Sequence, residues 1–193
     1  MQQFGRGFKS WAERTALSLR LELGIRRHDP LPPRCLADYL GVQLLTPDDI
    51  PGLPPEARHQ LLVNDPQGWS AVSAYVGGIG MVIYNPRHSP ARQASDIMHE
   101  LAHLILDHQP ATLIMSQTGD MAMRSYNEKQ ENEASWLAGC LLLPRDALLL
   151  CKRLKLSPKE ASRRFEVSET LFTFRMRITG LERQWQAAVK KFG

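Results

Sequence analysis

The segment His99-Glu100-Leu101-Ala102-His103 constrains this chain more than any other, because it sets three polar side chains inside an apolar run with helical spacing. Ser89-Pro90 ahead of it offers an N-cap followed by proline at the first helical position. Ile97, Met98, Leu104, Ile105 and Leu106 carry the run to about Asp107. Histidines at i and i+4 share one helical face with Cβ atoms roughly 5–6 Å apart, so both imidazoles reach one tetrahedral metal ion. Glu100 stands one residue along, beside that face, and can approach a water on the metal without being a ligand. With 6 His and 11 Glu in 193 residues, the H-E-x-x-H pattern is expected by chance only ~0.01 times. Its chemistry is that of a metal-assisted hydrolase: zinc lowers the pKa of a bound water to about 7 and the carboxylate takes the proton.

A catalytic zinc site takes three protein ligands and keeps a fourth position open. Glu128, Glu131 and Glu133 begin the next helical stretch, about Asn127–Leu142, and each is a candidate. Ala134, Ser135 and Ala138 follow Glu131 on its face and leave room for close approach of the histidine helix. Glu133 shares its face with Trp136, Leu137 and Cys140, which reads as core. Glu131 is therefore the expected third ligand. Cys140, a lone cysteine in an apolar helix, reads as packing. Zinc is the expected ion, with manganese an alternative.

Around this centre the sequence predicts helices over Phe8–Leu23 and Pro33–Leu40, an extended stretch from Val42 to Leu45, and a proline-rich connection over Pro47–Pro55. Trp69–Val76 and Ile79–Tyr84 form a β-hairpin, with Gly77-Gly78 supplying the positive φ angles of a tight turn. Gln109–Tyr126 has no firm periodicity and reads as a loop, placed to act as a mobile rim over the site. Further helices start at Pro144, Ser157-Pro158 and Ser168. The fold class is α+β: a small antiparallel sheet on the histidine helix, with helices over the rest. The expected division is a site-bearing domain over 1–150 and a basic helical segment over 151–193.

Charge follows that division. Residues 1–150 carry 13 Lys/Arg against 16 Asp/Glu, a net of −3, whereas 151–193 carry 11 against 4, a net of +7. No apolar run approaches the ~18–20 residues of a membrane span, and charges interrupt the first 23 residues, so neither a signal peptide nor a membrane anchor is expected. Three scattered cysteines, Cys35, Cys140 and Cys151, form no C-x-x-C pair, and a reducing cytoplasm is the simplest compartment.

The order of these parts resembles the ImmA/IrrE-type metallo-endopeptidases, whose fold is zincin-like. The matching features are the strand ending in Asn85 and the H-E-x-x-H helix, then Glu131-x-x-Ala134-x-x-Leu137-Ala138 running into Leu141-Leu142-Leu143-Pro144, and finally Leu156-Ser157 through Val167-Ser168 to Arg177 and Gly180. Together they span about residues 36–180. The resemblance implies zinc on His99, His103 and Glu131, Glu100 as general base, and site-specific cleavage of an XRE-type helix-turn-helix repressor that derepresses a mobile element or a stress response. It also implies a short form without the C-terminal sensor domain of some members. Leu137, Leu143 and Ala102 replace phenylalanine, methionine and glycine that are common in the family. Where members often carry a histidine shortly after the zinc helix, Asp107 stands here, with His108 shifted by one. Tyr126, His108 and Arg87 are the candidates for transition-state stabilisation.

Pro158–Phe165, a turn at Glu166-Val167-Ser168 and Glu169–Thr179 have helix-turn-helix proportions, with Arg163, Arg164, Arg175 and Arg177 on or beside them. Direct DNA binding is one reading. The second helix, with Leu171, Phe172, Phe174, Met176 and Ile178, is apolar enough that packing on the core or docking a repressor is favoured over it. The rival to an enzyme is thus a non-catalytic DNA- or repressor-binding regulator built on a zincin-like scaffold.

Overall fold

The computed structural model describes residues 4–108, 112–115, 121–124 and 127–181, the strands at 112–115 and 121–124 by their backbone alone. Eight α-helices and two small sheets are present among them, so the fold is α+β, as expected. Helix α1 covers Phe8–Glu22 and α2 Pro33–Leu40, the latter stopped by Gly41 at φ 67°. Strand β1 (Gln43–Leu45) leads through a one-turn 3-10 segment and the short helix α3 (Pro55–His59) to β2 (Ala71–Val76) and β3 (Ile79–Tyr84). Gly77 and Gly78, at φ 59° and 83°, make the two-residue turn between them, a conformation that costs L-residues with a Cβ and leaves glycine unstrained.

The three-stranded sheet has the order β1-β3-β2. The hairpin is antiparallel, with Ser73 opposite Val82 and Val76 opposite Ile79. β1, however, joins β3 in parallel, Leu44 beside Val82, so the sheet is mixed and not wholly antiparallel. The reason is topological: the connection from Thr46 to Ser70 passes over the middle position to the far edge, β2 brings the chain back, and β3 then fills the middle running parallel to β1. The second sheet is the antiparallel pair β4 (Thr112–Met115) and β5 (Met121–Arg124), with Thr112 opposite Arg124 and Met115 opposite Met121. These strands occupy part of the stretch read from sequence as loop. At four residues each, they are too short for an alternation pattern to declare them. The rest of the expected mobile rim, including Tyr126, lies outside the described residues.

Helix α4 (Pro90–Ile105) carries the H-E-x-x-H segment between the sheet and α5 (Glu128–Leu142). Its Ile97, Met98, Leu101 and Ala102 are buried in one cluster with Val82 of β3 and Ala134, Leu137, Ala138 and Leu141 of α5. The opposite edge of the helix is left for the polar residues. Asn127 caps α5, its Oδ1 accepting from the backbone N–H groups of Lys129 and Gln130. The setting of α4 is fixed by a buried polar tie. Asn85 Nδ2 donates to the carbonyls of Pro66 and Trp69 at 2.7 and 3.0 Å, and His88 Nδ1 pairs with Asp96 Oδ2 of α4 at 2.9 Å.

After α6 (Arg145–Arg153), helices α7 (Pro158–Phe165) and α8 (Glu169–Ile178) are joined by a three-residue turn. A reciprocal Ser157–Glu160 capping box starts α7, and Ser168 caps α8. Phe165, Val167, Phe172 and Met176 belong to the same buried cluster as α4 and α5. Arg175, grouped from sequence with the basic surface residues, is instead buried. Its Nε and Nη2 donate to the Leu143 carbonyl at 3.1 and 3.0 Å, and Nη2 pairs with Glu13 of α1 at 2.6 Å. An otherwise apolar face of α8 tolerates this arginine because α5 ends there with a carbonyl to satisfy. Gly139 makes the approach possible, since a Cβ at that position would stand 3.1 Å from Arg175 Cδ. Arg163, Arg164 and Arg177 remain exposed. Among the described residues no single helix is long and apolar enough to cross a membrane.

Candidate metal centre and its surroundings

One helical turn separates His99 from His103 on α4, and their Nε2 atoms approach to 3.1 Å. Glu131, in the first turn of α5, reaches across: its Oε2 is 3.1 Å from His99 Nε2 and its Oε1 3.5 Å from His103 Nε2. Ala134 and Ala138, both buried, let the two helices come close enough for this, and Ser135 Oγ lies 3.4 Å from His99 Nδ1. One ligand atom from each of His99, His103 and Glu131 falls within 4.8 Å of the others. Two imidazole nitrogens and a carboxylate facing one point suit a divalent ion of the zinc type, and three protein ligands leave a coordination position open.

The other carboxylates of α5 do not converge there. Glu128 is exposed. Glu133 turns to His108, with Oε2 3.5 Å from His108 Nε2, and to Lys129 Nζ at 3.9 Å. Cys140 is buried away from the histidines beside Glu13 and Arg175, and burial pushes its thiol up to about 12, so it behaves as an inert core residue. Arg87 is exposed in the turn before α4, where its backbone N–H donates to Asn85 Oδ1.

Glu100 leaves the histidine face toward the sheet. Ser73 Oγ of β2 donates to its Oε2 at 2.6 Å. Burial raises the carboxyl above the ordinary carboxylate range, and the Ser73 hydrogen bond and the neighbouring His99 oppose that rise. A carboxylate so placed is a better proton acceptor than one in water. For His103, burial and the adjacent His99 lower the pKa to about 4, so its imidazole is neutral and has a lone pair to offer near neutral pH.

Ser73 is a site residue that the hairpin's sequence pattern does not announce. Alternation along Ala71-Val72-Ser73-Ala74-Tyr75-Val76 makes Val72, Ala74 and Val76 the apolar face and so turns Ser73 outward, whereas the structure buries Ser73. His108 is the second residue whose place needed the structure. Its Nδ1 lies 3.0 Å from His103 Nδ1.

A search of curated proteins finds no match. Among solved structures, one described as a Mycobacterium tuberculosis transcriptional regulator is similar, with a TM-score of 0.51 at 18% identity, over 90% of this chain and 47% of that one. At that identity the likeness is one of fold, and this chain spans about half the length of its counterpart. The family model described as the IrrE N-terminal-like domain, Peptidase_M78, matches residues 55–177, a stretch that contains the hairpin, the histidine helix, Glu131 and most of α8. The chain belongs to that family.

Proposed function

We propose that this protein is a zinc-dependent endopeptidase that hydrolyses a peptide bond in a protein substrate, with His99, His103 and Glu131 as the metal ligands and Glu100 as the general base. The observation that carries the reading is the meeting of three ligand atoms from two helices, beside a carboxylate that burial has made more basic. Zinc, when bound, supplies Lewis acidity that makes water nucleophilic near neutral pH. The chain's own residues do the rest. Ser73 holds one oxygen of Glu100, so the carboxylate presents the other in a fixed direction. It takes a proton from the attacking water and returns it to the leaving amine.

The substrate we propose is an XRE-type repressor, cut at one site to release a mobile element or a stress response, in a reducing cytoplasm where Cys35, Cys140 and Cys151 stay free. Basal activity on a general substrate such as casein is expected to be low. The experiment is incubation of zinc-loaded protein with an XRE-type repressor, sought first in the neighbouring reading frame. Cleavage that vanishes in Glu100→Gln, with zinc and repressor binding kept, supports the enzyme, and unchanged biological activity in that variant refutes it.

A second reading is favoured by α7–α8. The inward side of α8 holds Phe172, Arg175 and Met176, which leaves Glu169, Thr170, Thr173 and Arg177 exposed along its other side, polar apart from Phe174 beneath Arg177. That is the polar face a regulator needs, and the similar solved structure is described as a transcriptional regulator. If these helices contact DNA phosphates, affinity falls steeply with salt; a flat salt dependence refutes direct contact.

A further inference from the structure

The end of the histidine helix folds back on itself in a specific way. Leu106 is its C-cap, and Asp107, at φ 52°, takes the left-handed conformation that follows. The Asp107 N–H donates to the Leu104 carbonyl at 3.2 Å and the His108 N–H to the His103 carbonyl at 3.0 Å. This pair of bonds is the Schellman arrangement. Its consequence here is lateral: the sixth residue of the closed turn, His108, is returned to the level of the first, His103. The rings lie 5.1 Å apart at 66°, with Nδ1 facing Nδ1 at 3.0 Å. His108 and Glu133 are 8% and 15% exposed along their side chains, so water competes little for these contacts.

Two Nδ1 atoms at 3.0 Å are compatible only if one is protonated and the other bare. Two protons would collide, and two lone pairs would repel. His103 Nε2 faces His99 Nε2 and Glu131. If it binds a metal it is unprotonated, and a neutral imidazole then carries its proton on Nδ1. His103 Nδ1–H therefore donates, and His108 Nδ1 accepts. The proton of His108 is left on Nε2, which is the atom directed at Glu133 Oε2, 3.5 Å away. Lys129 lies beyond it, 3.9 Å from the other carboxylate oxygen. Each group has one role, no donor meets a donor, and the chain ends on a charge.

We propose that His108 and Glu133 are positioning residues for the metal: His103 donates to His108 and His108 to Glu133, which locks His103 in the tautomer and orientation that present Nε2. The inference rests on the reading of His103 as a ligand. A ligating histidine held from behind in this way is a stronger donor, and loss of such a support costs roughly 10–100-fold in metal affinity. The support comes from α5, the helix that also brings Glu131, so the spacing of one helix sets both.

The test is zinc affinity of the full chain, measured by competition with a chelating dye, for the parent, His108→Leu and His108→Asn. Melting curves of the metal-free proteins separate folding from binding. His108→Leu, which cannot accept, is expected to weaken zinc binding by about 10–100-fold. His108→Asn, whose side-chain carbonyl accepts from His103, is expected to recover most of that loss. Parent-like affinity in a folded His108→Leu overturns the proposal and leaves the metal site standing. A parent that binds no zinc overturns the metal site and the proposal together. Should His108→Leu not fold, nitrogen-15 NMR of the zinc-loaded parent decides: a proton on His108 Nε2 supports the chain, and one on His108 Nδ1 overturns it.

Discussion

Ser73 of β2 donates its hydroxyl to Glu100 of α4 at 2.6 Å, which ties the hairpin to the carboxylate proposed to move the proton. Burial raises Glu100, and this hydrogen bond opposes the rise. Ser73→Ala therefore lifts the carboxyl further and frees its orientation. A general base works only when deprotonated, so the acid limb of kcat/KM is expected to move to higher pH, with a larger loss at pH 6 than at pH 8. A pH–rate profile whose acid limb stays in place in the variant contradicts this.

Glu13 and Arg175 link α1 to α8, and Glu13 Oε2 also accepts from the Arg145 backbone N–H at 3.0 Å, at the start of α6. Removing one partner of such a pair strands the other. Glu13→Ala is expected to cost about 3 kcal/mol, because Arg175 is 1% exposed and its charge has no water to turn to. Urea unfolding checks it, and a loss below about 1 kcal/mol, the value of an exposed pair, contradicts the role given to the bridge.

Asp107 holds φ 52° to end α4. Glycine adopts that angle freely, whereas a β-branched residue does so only with strain. Asp107→Gly is expected to be neutral or slightly stabilising, and Asp107→Val to destabilise by about 1–2 kcal/mol. Thermal melts of the metal-free proteins measure the difference.

A metal held by the folded cluster and not by the unfolded chain stabilises the fold, so on the proposed ligand set zinc is expected to raise the melting temperature. At 100 times the dissociation constant it stabilises by about 2.7 kcal/mol. A chelator reverses the shift. Glu131→Ala is expected to show little of it, and a full zinc-dependent shift in that variant excludes Glu131 as a ligand.

What the sequence made legible was local. The i, i+4 histidines, the paired glycines of the hairpin and the Ser157 cap each act over a few residues, and each sits where its spacing placed it. The place of Glu131 beside the histidines follows from packing: Ala134 and Ala138 are the small residues that let α5 approach α4. Less legible was anything decided by distant partners. The parallel pairing of β1 depends on where a long connection returns the chain. Arg175 looked like surface charge until α1 and the end of α5 supplied Glu13 and the Leu143 carbonyl. His108 looked displaced by one residue from a useful place, because a count along an ideal helix does not include the left-handed turn at Asp107 that brings it back over His103.

Zinc K-edge X-ray absorption of the loaded protein reads the donor set of the proposed metal centre. The expected spectrum is that of two imidazoles and oxygen donors, with nitrogen and oxygen distances of about 2.0–2.2 Å and no sulfur at about 2.3 Å. A sulfur contribution, or an all-oxygen environment without imidazole scattering, would contradict it.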